Sequence, residues 1–334
     1  MQVERAIVEA THHPFPIYAD PIDRFRRAHA AEDVDRDPAV AHLLGVLAGY
    51  AYADTATVAL MAARLGMEGS ALVRVSQTVD AMQIFSTAYL LQSRCGRVAV
   101  LCYRGTEPAN LGNWLGDADV GSDAIDFAGA RITVHAGFHR NMLATRRPVL
   151  DLLHAAARGE SLRVPGARTD HALEALYVAG HSLGGAMAAL FGLRLAADTD
   201  QPILLEKLRA IYTFGQPLAA GGPLPEAAGP VARRLLRHVN ARDIVPSLPF
   251  AAWGPLEHFG REFQYAQGRW ARHEPVTAQL ESFRAAPRAV FAMFAPAKKR
   301  ESLPHSMADH GPHHYIAALR PTGPVTEFGD RTDR

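Results

Sequence analysis

Residues 177–193 read YVAGHSLGGAMAALFGL, and their pattern predicts a strand, a sharp turn and a helix. An apolar run leads into Gly-His-Ser-Leu-Gly, and a run rich in alanine and leucine continues to about residue 197. A strand that turns sharply into a helix in this way raises the hydroxyl of Ser182 above the edge of a sheet. Gly180 and Gly184 fit this interpretation, because a β-carbon at either position would collide across the turn. The alternative is a glycine-rich strand-to-helix turn in which the serine is incidental.

The rest of the chain predicts strands and helices around that turn. Residues 38–65 are expected to be helical and largely buried, and two apolar runs, 81–92 and 97–105, are expected to pair as an antiparallel hairpin. Later strands alternate with helices: strands at 131–138, 175–180, 209–215 and 233–240, and helices at about 139–158 and 183–197. The predicted fold class is therefore α/β, with a mostly parallel central sheet flanked by helices and an antiparallel hairpin early in the sheet.

Length and composition indicate an ordinary globular protein. The chain has 334 residues, of which 48% are hydrophobic and 21% are charged. It shows no internal repeat and no linker rich in Gly, Ser or Pro, so we expect a single domain over 1–334. A formal net charge of +1 without a long basic run gives no sign of a nucleic-acid partner. Cys95 and Cys102 are too few for a disulfide framework and are expected to be reduced.

Nothing in the sequence predicts export or a membrane span. The N-terminal segment contains Glu4 and Glu9 and no apolar core, so it is not a secretory signal of the usual kind. The most apolar stretches, 39–53 and 173–197, fall short of a membrane span. The protein is therefore expected to be cytoplasmic by default, unless a leader has been removed.

A serine on such a turn needs an acid and a base, which follow it along the chain in that order. Asp243 lies three positions after the predicted strand that ends at Asn240, on a loop that Pro246 and Pro249 stiffen. That loop is expected at the carboxyl edge of the sheet, beside Ser182. The alternative for this residue is a solvated loop aspartate.

The base is sought in HSMADHGPHHYIAAL, residues 305–319, which contains four histidines. Gly311-Pro312 cannot lie inside a helix, but proline suits its first position, so we predict a helix over about 312–320. His310 then falls on the loop before this helix, where it can reach over to the serine, and is the predicted base. His305 is its main rival.

The other histidines have simpler interpretations. His258, fifteen residues beyond the acid in an apparent strand, is interpreted as structural. His313 and His314 are interpreted as exposed or capping side chains in the first turn of the helix. A metal site on these two residues and His310 would need a helix running through the Gly-Pro pair, and no matching carboxylate pattern accompanies it. We therefore predict no metal site.

Six motifs occur in order along the chain: VAVLCYRGT with NWLGDAD, VHAGF, GHSLGGA, YTFGQP, VNARDIVPSLP, and DH followed by YIAAL (98–106 with 113–119, 134–138, 180–186, 212–217, 239–249 and 309–319). Together they resemble the class 3 lipases, the fungal-lipase-like family of α/β-hydrolases. The resemblance implies the α/β-hydrolase fold. It covers about residues 80–320, which would form the catalytic core, and it matches the helical N-terminal part, 1–75, only loosely.

The resemblance implies a role for each motif residue. Ser182 would attack an ester carbonyl, His310 would take its proton and return it to the leaving alcohol, and Asp243 would fix the imidazole. The oxyanion would be held by the Leu183 backbone N–H and by Thr106, through its backbone N–H and its hydroxyl. No cofactor or metal is implied.

Two segments depart from the family pattern. The fungal members have a lid after the oxyanion threonine, and here that segment is 107–119, in which Leu111, Trp114 and Leu115 form a short apolar face that could cover an acyl groove. The second departure is 282–300, where apolar and basic residues alternate. It is either a membrane-surface element or, more simply, a buried connecting helix with a basic exit.

The resemblance implies a serine carboxylic ester hydrolase, a lipase that hydrolyses acylglycerol esters through an acyl-enzyme intermediate. A phospholipase A1 or a general carboxylesterase is the alternative among enzymes, since the triad does not select the leaving group. A non-catalytic lipid-binding relative is the alternative from another class. The expected partner is a lipid or ester substrate, with transient contact at a lipid–water interface.

Overall fold

One large mixed sheet runs through the molecule. The computed structural model describes residues 1–9, 16–27, 37–106, 121–127, 129–249, 254–274, 277–278 and 307–321. Its strands are β1 (Gln2–Ile7), β2 (Ala71–Val79), β3 (Ile84–Gln92), β4 (Val98–Tyr103), β5 (Ser122–Phe127), β6 (Ala130–His135), β7 (Ala175–His181), β8 (Leu208–Phe214), β9 (Ala220–Gly221), β10 (Leu235–Asn240), β11 (Arg261–Ala266) and β12 (Arg269–Arg272). The large sheet has the order β1-β2-β3-β4-β7-β8-β10-β11-β12, and β5, β6 and β9 form a small second sheet.

The centre of the large sheet is parallel, as predicted. Strands β4, β7, β8, β10 and β11 pair in parallel, and β1 to β4 pair antiparallel. The predicted hairpin is β3 and β4, with Ala88 opposite Tyr103. The α/β fold class is therefore confirmed. Because parallel strands end at the same edge, the residues that follow β4, β7, β8 and β10 lie together, and we call this side the carboxyl edge.

Helices cover both faces of the sheet. They are α1 (Pro21–Arg27), α2 (Pro38–Tyr50), α3 (Thr55–Arg64), α4 (Ala136–Ala157), α5 (Leu183–Ala197), α6 (Pro202–Lys207), α7 (Gly229–Arg234) and α8 (Pro312–Leu319). On one face α4 and α5 bury residues such as Phe138 and Leu190. On the other face α2 and α8 bury residues such as Leu44 and Ile316. Within the described ranges no helix has both the length and the apolar character needed to cross a membrane.

The helical segment predicted at 38–65 is two helices, not one. The chain leaves α2 after Tyr50 and resumes as α3 at Thr55. Asp54 has an extended backbone, and its side chain accepts a hydrogen bond from the Thr57 N–H. An aspartate that caps a new helix in this way ends the preceding one, because its own backbone is not helical. This break places Tyr52 near the carboxyl edge.

Two other boundaries differ from the prediction. The strand expected at 131–138 ends at His135, because the His135 side chain caps α4 by accepting from the Phe138 N–H. The strand expected at 233–240 begins at Leu235, because Arg233 and Arg234 are the last two residues of α7. Both changes shorten a strand at a helix junction, where sequence patterns fix the boundary least well.

Candidate active site

Ser182 sits on a strained turn between β7 and α5. Its backbone has φ 59° and ψ −130°, a left-handed region that costs a residue with a β-carbon about 1–3 kcal/mol. The conformation is held by a hydrogen bond of 2.9 Å from the Ser182 N–H to the Phe214 carbonyl of the neighbouring strand. Ser182 is only 1% exposed. A non-glycine residue kept in this conformation is typical of a reactive side chain that the fold holds in place.

The turn is tight because glycines flank the serine. A β-carbon at Gly180 would lie 2.1 Å from the Gly184 carbonyl oxygen, and one at Gly184 would lie 2.2 Å from the Tyr103 oxygen. Both contacts are with backbone, which cannot move aside. The sequence-based explanation of these two glycines therefore agrees with the close approach seen in the structure.

His310 and Asp243 form a buried pair at the same edge. The His310 Nδ1 lies 2.7 Å from Asp243 Oδ2, and the other carboxylate oxygen accepts from the Val245 N–H at 2.9 Å. With its Nδ1 proton donated to a carboxylate, the neutral imidazole presents Nε2 as an acceptor. His310 Nε2 is buried and has no hydrogen-bond partner among the described residues. The pair is thus arranged to accept a proton at Nε2.

The pair meets the serine turn through Gly215. The residue before it, Phe214, accepts the hydrogen bond of the Ser182 N–H. A β-carbon on Gly215 would lie 2.7 Å from Asp243 Oδ2 and 2.9 Å from His310 Nδ1. The end of β8 is therefore in contact with the serine turn on one side and with the His–Asp pair on the other.

Tyr315, from α8, is a third group on the carboxylate. Its hydroxyl donates to Asp243 Oδ2 at 2.6 Å and accepts from the Asn240 N–H at 3.1 Å. Burial and the Asp243 charge raise the pKa of this phenol well above its ordinary value, so it remains a donor. Asp243 therefore receives hydrogen bonds from three residues without contact with bulk solvent.

His181, the residue before the serine, ties the base to the turn. Its Nε2 lies 2.7 Å from the His310 carbonyl oxygen, so Nε2 carries the proton, and its Nδ1 accepts from the Tyr52 hydroxyl at 2.8 Å. Burial, and next the neighbouring His310, lower the pKa of His181 well below its ordinary value. A neutral His181 can hold both contacts over the ordinary pH range.

Tyr52 and the segment after β4 complete the surroundings of the serine. The Tyr52 oxygen is also within hydrogen-bonding reach of the Ser182 side chain, and burial raises the pKa of its phenol. A β-carbon at Gly105 would lie 2.1 Å from the Tyr52 oxygen and 2.6 Å from the His181 carbonyl oxygen. This packing holds Gly105, the residue before Thr106, against the serine turn. Leu183 opens α5, so its N–H has no acceptor within the helix.

Comparison with known proteins finds similarity to one family. The model of the family described as Lipase (class 3) matches residues 100–253. Triacylglycerol lipase OBL1 of Ricinus communis is 28% identical over 234 residues, which are 59% of this chain and 44% of that protein. A lipase of Rhizomucor miehei is 36% identical over 105 residues, 31% of this chain and 28% of that protein. Residues 100–253 of this chain are therefore similar to the class 3 lipases.

The chain also shares its fold with solved structures. Lipase II from Rhizopus niveus matches with a TM-score of 0.55 at 19% identity, over 84% of this chain and 94% of that one. The lipase of Rhizopus microsporus var. chinensis matches with a TM-score of 0.52 at 20% identity, over 91% and 93%. These matches confirm the α/β-hydrolase fold. In sequence, the chain spans less than half the length of the two curated OBL1 relatives of Ricinus communis and Arabidopsis thaliana.

The structure brings five predicted site residues to the carboxyl edge: Ser182, Asp243, His310, Thr106 and Leu183. The predicted lid residues Leu111, Trp114 and Leu115 lie outside the described residues, as do His305 and the segment 282–300.

His258, His313 and His314 are not members of the His310–Asp243 pair. His258 precedes β11 instead of lying in a strand, and its Nε2 is 2.7 Å from the Pro246 carbonyl oxygen. His313 and His314 lie in the first turn of α8 with ring centroids 4.1 Å apart. In the part of the chain that the structure describes, no group of three or more His, Cys, Asp or Glu side chains could hold a metal ion.

Three residues at the site, Tyr52, His181 and Tyr315, were not predicted from the sequence as site residues. Tyr315 occurs in the YIAAL motif, but no role was inferred for it. Tyr52 belongs to the N-terminal part, from which no function was inferred, and His181 was treated only as a variable position of the serine motif. For His181 the signal is its place directly before Ser182. For Tyr52 no local pattern exists, because its role depends on how α2 packs against the sheet.

Proposed function

We propose that this chain is a class 3 lipase, a serine carboxylic ester hydrolase that cleaves acylglycerol esters through an acyl-enzyme intermediate. The observation that carries the proposal is the strained, buried Ser182 at the sheet edge where a buried His310–Asp243 pair leaves its Nε2 without a partner. The names of the relatives, triacylglycerol lipases of Ricinus communis and Arabidopsis thaliana, support an acylglycerol substrate.

In the proposed mechanism the Ser182 hydroxyl oxygen attacks the ester carbonyl carbon while His310 Nε2 takes the hydroxyl proton. The imidazolium that forms is stabilised by Asp243. The Leu183 N–H and Thr106 stabilise the oxyanion, and each such donor typically lowers the barrier by about 3 kcal/mol. His310 then gives the proton to the leaving alcohol, and water hydrolyses the acyl-enzyme by the reverse sequence of proton transfers.

Access to the serine is part of the proposal. Because Ser182 is 1% exposed, an ester must displace neighbouring residues to reach it. We infer that Leu111, Trp114 and Leu115 belong to a small lid over the acyl groove. If such a lid opens at a lipid surface, the ratio of activity on aggregated triacylglycerol to activity on monomeric ester should be higher than in a protein without a lid.

We also infer that the chain forms one catalytic domain. The strands of one sheet are drawn from residue 2 to residue 272, so the N-terminal part and the site segments share a core. Tyr52 supports this inference, since it connects the N-terminal part to His181 directly.

The decisive test is Ser182→Ala, assayed on p-nitrophenyl esters, triacylglycerols and phospholipids. If Ser182 is the nucleophile, turnover of every hydrolysed ester should fall by roughly six orders of magnitude. The control is Ser70→Ala, which removes a buried hydroxyl at the opposite edge of the sheet and should leave turnover unchanged.

The same panel can refute the proposal. Ester hydrolysis that survives in Ser182→Ala would place the nucleophile elsewhere. A parent protein that binds lipid but hydrolyses none of the esters would indicate the non-catalytic relative. Preference for phospholipid over triacylglycerol would indicate a phospholipase.

A further inference from the structure

Two large apolar side chains are exposed at the turn between β2 and β3. We call residues 80–85 the β2–β3 tip. Met82 is 51% exposed and Phe85 is 58% exposed. The neighbouring tip residues 80, 81 and 83 are exposed too, so the tip is a convex projection and not a groove. Exposed apolar side chains that share one projection indicate an interaction surface.

The tip is held rigidly. The Asn141 side chain accepts from the Phe85 N–H at 2.9 Å and donates to the Gln83 carbonyl at 3.3 Å. Arg140 donates to the Met82 carbonyl at 3.4 Å. Gln83 adopts a left-handed φ of 51°, which closes the turn. The backbone is therefore fixed by α4 while the two apolar side chains remain outside, so little conformational entropy is lost when a partner covers them.

The tip lies on the side of the sheet that carries Ser182. The Arg104 N–H donates to the Thr87 carbonyl, and Ala88 is opposite Tyr103, the last residue of β4. Because β3 runs antiparallel to β4, residues before Thr87 extend beyond the carboxyl edge, next to the segment that leads to Thr106. Phe85 lies two residues before Thr87, or about 7 Å along the strand.

We propose that the β2–β3 tip inserts Met82 and Phe85 into a neutral acyl-lipid surface and so presents that surface to the carboxyl edge. A convex tip with a satisfied backbone suits a fluid lipid layer better than a shaped protein groove. Asp80 and Arg140 give the tip one charge of each sign, so insertion is driven by apolar burial and not by charged headgroups. The choice of lipid as the occupant rests on the proposed function, because a lipase must meet its insoluble ester at this edge.

The experiment compares the double variant Met82→Ser/Phe85→Ser with Ile203→Ser. Ile203 is 52% exposed, and it lies on α6, which leads into the start of β8 at the opposite edge. Binding is measured by co-sedimentation with phosphatidylcholine vesicles that contain triolein, with Ser182→Ala added to each protein so that no ester is consumed. The tip variant should bind about tenfold more weakly than the parent, and Ile203→Ser should bind like the parent.

Kinetics on the full chain with Ser182 intact complete the test. The tip variant should hydrolyse emulsified triolein about tenfold more slowly, with dissolved p-nitrophenyl acetate hydrolysed within about twofold of the parent rate. Vesicle binding of the tip variant equal to that of the parent, binding that requires anionic lipid, or an equal loss on both substrates would overturn the tip proposal. If no ester is hydrolysed but vesicle binding still depends on the tip, the proposed function fails and the tip proposal stands.

Discussion

At the scale of the residue, the most informative group is the Asp243 carboxylate. One of its oxygens accepts from both His310 and Tyr315, and the other accepts from the Val245 N–H. A buried carboxylate is costly unless hydrogen bonds replace its water. Here one donor comes from the loop of Asp243 itself and two come from residues 310–315, and together they fix the orientation of the carboxylate and therefore that of the imidazole bonded to it. We infer that Tyr315 is a positioning residue for the proposed base.

The variant Tyr315→Phe tests this inference. It removes one donor to Asp243, and since a hydrogen bond to a charged group contributes about 1.5–3 kcal/mol, we expect kcat/KM for a dissolved ester to fall about tenfold or more. The control is Tyr177→Phe. This variant removes a buried hydroxyl that donates to the Phe25 carbonyl, on the face of the sheet opposite to α4 and α5. An equal change of kcat/KM in the two variants would show that Tyr315 acts on stability alone.

At the scale of the element, the unit formed by β7, the serine turn and α5 depends on backbone contacts. The segment that follows Tyr103 approaches Gly184 so closely that no β-carbon fits between them, and Gly180 packs in the same way against α5. These contacts bring the start of α5 against Tyr103 and Arg104, the residues that lead to Thr106. The positive end of the helix dipole therefore faces the position proposed for the oxyanion.

Replacing Gly180 by alanine should disturb the whole unit. The new β-carbon would meet the Gly184 carbonyl oxygen at 2.1 Å, so we expect a loss of about 3 kcal/mol in the free energy of unfolding. The matched change is Gly229→Ala, at a helical φ of −52° where the nearest atom is the end of the Arg233 side chain. It should leave stability within about 1 kcal/mol or raise it. Urea unfolding measures both, and equal stabilities would contradict the packing argument.

At the scale of the whole molecule, several histidines are buried in different parts of the fold. Burial lowers the pKa of His135 to about 4 and that of His238 to about 3, and it lowers the pKa of His181 well below the ordinary value. His238 is packed among aromatic rings, with ring centroids 5.6 Å from Tyr212 and 5.1 Å from Trp270. A folded state that holds these histidines neutral becomes less stable when the unfolded state can protonate them.

The fold should therefore be acid-labile, and His238 gives the sign. The imidazole of His238 takes up a proton near pH 6.5 in the unfolded state, but only near pH 3 in the folded state. This residue therefore does not lower the free energy of unfolding above about pH 6.5, and it lowers that free energy progressively as the pH falls below this value. Between pH 7 and pH 5 this one residue should lower the free energy of unfolding by about 2 kcal/mol. Urea unfolding of His238→Phe at both pH values should show a smaller decrease than the parent. An identical decrease would exclude His238 as a cause.

Local sequence predicted the parts of the site that depend on neighbouring residues. The glycines around Ser182, the position of Asp243 just after a strand and the helix break at Gly311-Pro312 each follow from backbone chemistry within a few residues. For the same reason the β3–β4 hairpin and the extent of α5 agree with the prediction. The N-cap at Asp54 is also local, but the apolar pattern on both sides of it concealed the end of α2.

Sequence patterns were enough to predict the parallel centre of the sheet, the serine turn and the order of the proposed acid and base. The tertiary structure alone decided that Tyr52 contacts His181, that Tyr315 shares an oxygen of Asp243 with His310, and that Met82 and Phe85 stay exposed at the carboxyl edge. The spacing of apolar residues and the residue types that form turns can be recognised within a short stretch of sequence. A contact between residues 52 and 181 exists only after the helices have packed on the sheet, and no local pattern encodes it.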